Sequence, residues 1–200
     1  MDDHDYSPRD LAVYVAVFAA FYIVFQAMPS LWAELLTART SSTMINVFGL
    51  ESGYGVTDGL VYLELTSGIR PVHVYIIREC SAIHVLGVIL GLVVPLKQGG
   101  WARKAAAGAL GAALVFALNV SRVILTVVLT GYDVPPLSWW VANPTVETYH
   151  YPVSFIYGVV GIAATVALID RLVLPELGDF LGGLPDTLNR LIKTKQTTNR

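Results

Sequence analysis

The sequence predicts a mainly α-helical protein that crosses a membrane four times and carries a small extracytoplasmic β-hairpin. Three observations support this fold class. Hydrophobic residues make up 54% of the 200 residues and charged residues only 14%, and the mean hydropathy is +0.60, so the apolar surface exceeds what one small soluble core can bury. Four long runs carry almost no formal charge, and two short runs alternate apolar with polar residues. The chain is therefore expected to form one integral membrane domain over residues 1–200.

The four apolar runs cover residues 11–33, 80–96, 105–132 and 148–169. About 20 apolar residues in a helix cross the roughly 30 Å hydrocarbon layer, so the first run predicts a retained anchor. The second run is short, and one of its ends is expected to lie below the membrane interface. Each of the four runs is predicted to form one transmembrane helix.

The loop between the second and third runs determines the predicted topology. It holds Lys97, Arg103 and Lys104 without any acidic residue, and short positively charged loops stay on the cytoplasmic side. Both termini are then cytoplasmic, while residues 34–79 and 131–147 face outward. The acidic N-terminal segment is the one mild exception to this charge rule, because the topology places it in the cytoplasm. The predicted location is the cell membrane, with several crossings and an outward-facing site.

Two segments outside the spans also have a regular pattern. Apolar and polar residues alternate over 61–65 and again over 72–76, on either side of a turn-like Thr-Ser-Gly sequence. This period of two predicts an external β-hairpin. In residues 176–192, leucines recur at helical spacing, which predicts an amphipathic cytoplasmic tail that lies along the inner membrane surface.

Charge and cysteine content exclude several classes of protein. The 13 basic and 15 acidic residues give a net charge of −2, so nucleic-acid binding is not expected. The single cysteine, Cys80, excludes an internal disulfide and a zinc site made of several cysteines. His84 and His150 with nearby glutamates would form only a scattered ligand set, so no metal and no cofactor are expected.

Arg122 is the most informative residue, because a guanidinium inside a span costs a few kcal/mol and cannot lose its proton. Asn119 lies three residues earlier and projects from nearly the same helical face. Together they form a group of hydrogen-bond donors that suits a developing oxyanion. The alternative is a structural arginine that snorkels toward the outer interface or pairs with a carboxylate such as Glu79 or Glu147.

Cys80 and two histidines complete the candidate site. Cys80 lies where the external segment enters the second span, near a predicted helix N-terminus, and could be either a reactive thiol or a small buried residue. His150 begins the fourth span on the same side and could act as a base near neutral pH or serve as an interfacial anchor. His84 lies four residues after Cys80 on the same helical face, so spacing alone does not separate the two histidines.

The predicted topology places a thiol, a guanidinium and an imidazole from three helices at one depth near the outer face. A nucleophile, a base and an oxyanion-stabilising group are what cysteine acyl transfer requires. The main alternative is a non-catalytic membrane assembly or substrate-presenting subunit that uses its hairpin to bind a partner. An ion path through Arg122 and His150 is less favoured, because no charge continues it toward the inner half of any span.

Three separated motifs resemble the exosortase/archaeosortase family of membrane-embedded cysteine transpeptidases. Cys80-Ser-Ala is similar to the family's cysteine motif, Asn119-Val-Ser-Arg122 to its Asn-x-x-Arg motif, and His150 to its third position. The likeness covers about residues 71–169. Ala82 stands where a glycine is usual, and the chain lacks the extra N-terminal spans of longer members, so it resembles a compact, archaeosortase-like member.

The resemblance implies a function and partners. The substrates would be exported proteins with a C-terminal sorting signal: a short motif, a hydrophobic helix and a basic end. Cys80 would form a thioester, Arg122 with Asn119 would hold the substrate or the oxyanion, and His150 would transfer the proton, with His84 as the competing base. Water, a lipid or another surface acceptor would then release the acyl group, within a site that membrane lipids surround.

Overall fold

The computed structural model describes residues 6–141, 143–185 and 187, and they form a mainly helical protein with one small sheet. The helices and strands follow in chain order: α1 (Pro8–Ala27), α2 (Leu31–Val47), β1 (Ser52–Thr57), β2 (Leu60–Leu65), β3 (Val72–Ile76), α3 (Ile83–Val93), α4 (Trp101–Gly131), α5 (Leu137–Trp140), α6 (Val146–Ile156), α7 (Ile162–Leu172) and α8 (176–185). A π-helical turn, Tyr157–Gly161, joins α6 to α7 without a break.

Three of the described helices are long and apolar enough to cross a membrane. They are Pro8–Ala27, Trp101–Gly131 and the continuous helix Val146–Leu172. The protein is therefore a multi-pass membrane protein. The predicted second span corresponds to α3, which has only 11 residues and covers about 16 Å, or roughly half of the hydrocarbon layer.

The first predicted span, 11–33, is wrong at its C-terminal end. Helix α1 begins at an N-cap, Ser7, whose side chain accepts from the Asp10 amide in a capping box, and it ends at Ala27. Met28 is extended, because the following Pro29 disfavours the helical conformation in the residue before it. Leu31 then begins a separate helix, α2. The prediction from hydropathy assigned the start of this helix to the first span and the rest of it to the external segment.

The buried face of α2 explains why the sequence did not predict this helix. It consists of small and polar residues at helical spacing, and they are buried because they pack against α4 and the sheet: Ala33, Thr37, Ala38, Ser41, Ser42 and Ile45. The first turns of α2 lie beside the middle of α4, where Trp32 and Leu36 share a small cavity with Phe116. The segment 34–79 is therefore not a loop that starts outside the helical bundle.

The predicted hairpin is present as β2 and β3, but the sheet has a third strand. Its order is β1-β2-β3, and both pairs are antiparallel. The missed strand, β1, joins β2 through Asp58 and Gly59, which both have positive φ. An Asp-Gly pair is a strong hairpin signal, so this turn could have been predicted. The inner face of β2 packs on α2 and α4.

Helix α3 packs closely against α1 through its two glycines. A Cβ atom on Gly87 would lie 2.7 Å from the Cβ of Phe25, and one on Gly91 would lie 3.0 Å from the ring of Phe18. These distances leave room for hydrogen alone, so the small residues allow the two helices to approach. Because α3 is anchored to α1 in this way, the short helix is held within the bundle.

The end of the bundle opposite the sheet holds the predicted tail, and its placement differs from the expectation. Leu177 and Phe180 of α8 are buried among residues of α1, α3 and α4, and Arg103 forms an ion pair with Glu176 at 2.6 Å. The apolar side of residues 176–185 therefore contacts protein instead of a membrane surface. The remainder of the predicted tail, apart from residue 187, lies outside the described residues.

Candidate functional site

Cys80 lies at the sheet side of the bundle, in a short connection between β3 and α3. Strand β3 ends at Ile76, and a 3-10 turn, Arg78–Cys80, follows directly. The guanidinium of Arg78 donates to the backbone carbonyls of Gln26 and Met28, where α1 ends. The sheet on one side and the end of α1 on the other therefore fix the position of the turn.

Helix α3 begins at Ile83, so Cys80 lies near the N-terminus of this helix, in the 3-10 turn that precedes it. Between them, Ala82 has φ 57° and ψ 13°, the left-handed conformation that glycine adopts without strain. The family's usual glycine at this position thus has a physical reason. In this chain an alanine adopts the left-handed conformation, and that conformation costs an alanine about 1–2 kcal/mol.

We expect the substitution Ala82→Gly to be tolerated and to raise the free energy of unfolding by a few tenths to about 1 kcal/mol. It removes the left-handed strain, although glycine adds entropy to the unfolded chain. Thermal unfolding in detergent would measure the change. Ala163→Gly in the regular helix α7 is the control and should destabilise, because it adds the same entropy without relieving strain. Equal destabilisation by both variants would contradict the assignment of strain to Ala82.

Asn119 of α4 connects the turn of Cys80 to Arg122. Its side-chain nitrogen donates to the carbonyl oxygen of Cys80 at 2.6 Å and lies 3.5 Å from the hydroxyl oxygen of Thr37. Its side-chain oxygen accepts from Nη2 of Arg122 at 2.9 Å. Asn119 is buried, and its side-chain amide is already used in these bonds. The geometry therefore favours Asn119 as the residue that positions the Cys80 backbone over the expected role of a free oxyanion donor.

Arg122 continues the network to the helix that carries His150. Nη1 of Arg122 donates to Oγ of Ser154 at 3.0 Å, and this Oγ lies 3.4 Å from Nε2 of His150. Ser154 follows His150 by four residues, so both project from one face of α6. A continuous chain of polar contacts thus runs from the Cys80 carbonyl through Asn119, Arg122 and Ser154 to the imidazole.

The structure brings the three predicted catalytic side chains to one cavity of about 60 Å³. Cys80, Arg122 and His150 line it, together with residues of β3 and α4. Within the part of the chain that the structure describes, no hydrogen bond joins the thiol to the imidazole. The cavity has room for a small reacting group.

His84 faces a different space. It lines a larger groove of about 380 Å³ between α3, α4 and the continuous helix α6–α7, together with Glu79, Asn119 and Arg122. Arg122 separates this groove from the smaller cavity, because it lines both. The geometry therefore places His150, rather than His84, in the cavity of the thiol.

Two members of this network, Thr37 and Ser154, were missed by the sequence analysis. Thr37 belongs to the polar face of α2, which was not predicted as a helix. Ser154 could have been found, because it lies one turn after His150 on the same face. The hydroxyl of Ser121, which precedes Arg122 in α4, donates to the backbone carbonyl of Leu118.

The charge of Arg122 has no carboxylate partner among the described residues, where the ion pairs join other side chains. The alternative of a structural pair with Glu79 or Glu147 therefore lacks support. A half-buried guanidinium that donates only to neutral groups retains both its positive charge and N–H donors for a ligand. Over the same residues, no group of three histidine, cysteine or acidic side chains could hold a metal ion.

The fold and the site together define a class of protein: a multi-pass membrane protein whose thiol, guanidinium and imidazole meet where a small sheet packs on the helices. Residues 9–145 match the family model for transmembrane exosortases. The chain belongs to this family, whose members are in general membrane cysteine transpeptidases that process sorting signals. No curated protein and no solved structure matches it significantly. The family match includes Cys80, Asn119 and Arg122 and ends before His150.

Proposed function

We propose that the protein is a compact, archaeosortase-like cysteine transpeptidase that cleaves the C-terminal sorting signal of exported proteins at the outer membrane face. The single observation that carries this proposal is the cavity shared by Cys80, Arg122 and His150. The family match supports the general activity, and the geometry supports the roles of the residues. The sheet side is then the extracytoplasmic side of the cell membrane.

The contacts at the opposite end support this orientation. The start of α1, the loop between α3 and α4, and α8 meet there through Lys97 with Asp10 and Arg103 with Glu176. The basic loop is the segment that the positive-inside rule assigns to the cytoplasm. Both termini would then be cytoplasmic, and α3 would complete the fourth crossing together with the short connection that precedes it.

In the proposed reaction, His150 takes the proton of the Cys80 thiol, and the sulfur attacks the scissile carbonyl carbon. Arg122 donates hydrogen bonds to the oxyanion of the tetrahedral intermediate. The C–N bond then breaks, and the imidazolium of His150 gives its proton to the leaving amine, which remains on the hydrophobic helix. The exported protein stays bound to Cys80 as a thioester.

A second nucleophile completes the transfer. An amine or hydroxyl group of a membrane lipid or another surface acceptor, or water, attacks the thioester carbon, and His150 removes its proton. The thiolate leaves and regains a proton, so the enzyme returns to its starting state without any cofactor. The acceptor would approach from the lipid or the aqueous side of the small cavity.

We expect His150→Ala to reduce processing of a tail-anchored substrate by about 10²- to 10⁴-fold, the usual contribution of general acid–base catalysis. His84→Ala should reduce it by less than tenfold, because His84 lies in the groove and not in the cavity of the thiol. The measurement is the rate at which the C-terminal helix is released from an exported protein that carries such a tail, with purified enzyme in liposomes.

His73 provides the control for loss of a histidine outside the site. It is exposed on β3, where its ring stacks on Tyr62. His73→Ala should process the substrate at close to the wild-type rate. A larger loss from His84→Ala than from His150→Ala would contradict the assignment of the base.

A further inference from the structure

The groove that His84 lines extends away from the site along the helices. Its volume is about 380 Å³, and α3, α4 and the continuous helix α6–α7 form its walls. On α6–α7 the lining residues recur at helical spacing and define one face: Ser154, Tyr157, Gly158, Gly161, Ile162 and Thr165. From Ser154 to Thr165 this face extends about 16 Å along the helix axis. The groove is thus elongated parallel to the transmembrane helices.

The groove adjoins the candidate catalytic cavity. Arg122 lines both spaces, and Ser154 of the groove contacts both Arg122 and His150. Both spaces lie between α4 and the continuous helix α6–α7, at successive turns of these helices. A polypeptide whose scissile carbonyl lies beside Cys80 would therefore reach the groove by passing Arg122. A lipid molecule is not covalently attached to the polypeptide at Cys80, so nothing would require it to follow this path.

The chemistry of the groove changes along its length. At the end next to the site it is polar, with Glu79, His84, Asn119 and Arg122, and farther along it is apolar, with residues such as Val88 and Leu118. The first turn of any helix has backbone N–H groups without partners and a partial positive charge. The Glu79 carboxylate is complementary to such a terminus.

The wall formed by α6–α7 allows a close approach. A Cβ atom on Gly158 would meet no other atom within 4 Å, and Gly161 faces Leu118. Helices pack closely in membranes where small residues line the contact. An apolar helix could therefore lie in the groove with its N-terminus at the polar end and its side chains against Val85 and Val88.

We propose that this groove binds the hydrophobic helix of the sorting signal, with the N-terminus of that helix beside Glu79. This inference rests on the proposed function and adds where the substrate is held. It assigns the groove to substrate recognition, and it makes Gly158 a residue that determines whether a substrate helix fits.

The first test is a graded series at Gly158. Alanine, leucine and tryptophan at this position place progressively larger side chains in the groove, starting from a Cβ position that meets no other atom within 4 Å. We expect KM for a tail-anchored substrate to rise with side-chain size, by at least about tenfold for Gly158→Trp, while kcat changes little. Val160→Trp is the matched control: Val160 lies two residues away on the same turn and faces outward with 61% exposure. It should leave KM within about twofold of the wild type.

The second test is direct cross-linking. A photoreactive benzophenone side chain at Val88, in protein that also carries Cys80→Ala, would be irradiated in liposomes with a Leu/Ala-rich helix that has a basic C-terminal end. We expect a protein–peptide adduct whose cross-linked position lies in the first turns of the helix. The same group placed at Val160 should react mainly with lipid.

The outcomes separate this inference from the proposed function. Failure of the wild-type protein to release any tail would contradict the proposed function. Normal processing with equal effects of Gly158→Trp and Val160→Trp, or cross-linking of lipid alone at Val88, would contradict helix binding in the groove. The latter result would indicate that an acyl chain occupies it.

Discussion

Replacing Cys80 with alanine is expected to abolish release of the substrate's C-terminal helix, with a loss of at least about 10³-fold. In the proposed mechanism the thiol supplies the attacking sulfur, and removal of the nucleophile from a set of residues that act together eliminates nearly all of their catalysis. Cys80 is the single cysteine of the chain, so no neighbouring thiol can replace it. The measurement is the appearance of the processed product over time with purified protein in liposomes.

The variant Cys80→Ser separates loss of the nucleophile from loss of structure. A serine hydroxyl has nearly the same size but is a weak nucleophile unless a closely positioned base activates it. We expect Cys80→Ser to be inactive and to unfold at a temperature close to that of the wild type. A covalent substrate adduct should form in the wild type and be absent in both variants. Normal processing by Cys80→Ala would overturn the cysteine mechanism.

Replacing Arg122 with alanine is expected to reduce the rate of processing by about 10²- to 10³-fold, the range found when one oxyanion donor is removed. The guanidinium connects Asn119 beside Cys80 with Ser154 beside His150. Arg122→Lys should recover little of this loss, because a single ammonium group does not reproduce the planar fork that reaches both neighbours. Single-turnover rates would separate a slower chemical step from weaker binding.

Two controls test whether this loss arises from catalysis or from packing. Ser154→Ala removes the hydrogen bond that Arg122 of α4 makes to α6 but keeps the charge of Arg122. We expect a loss of about tenfold, the value of one hydrogen bond. Arg39→Ala removes an exposed arginine of α2 and should have little effect. If Ser154→Ala were as damaging as Arg122→Ala, Arg122 would act by holding the helices together.

Hydropathy and charge were sufficient to predict the membrane class and most of the long helices. The reason is that a hydrocarbon layer imposes one strong requirement, a long apolar helix, which can be recognised without knowledge of the neighbours. The same information failed at α2, because its buried face is polar and packs against protein. It also divided the first span incorrectly, although Pro29 marks the point where the helix breaks.

The candidate site was partly predictable for a similar reason. Arg122 was recognised because a charge within a span is costly, and Cys80 because it is the single thiol. The choice between His84 and His150 could not be made from spacing, since the predicted topology places both histidines near the depth of Cys80. That choice depends on how α3 and α6 are rotated about their axes against α4, which the sequence pattern does not specify.

The sequence by itself therefore determined that this protein lies in a membrane, that its helices carry a thiol and a guanidinium, and which family's motifs it resembles. Only the tertiary structure decided that Cys80, Arg122 and His150 line one cavity and that Ser154 links two of them. It also showed that Asn119 holds the Cys80 backbone. The physical reason is that burial in lipid depends on each residue's own polarity, whereas the network depends on contacts between residues that are far apart in the chain.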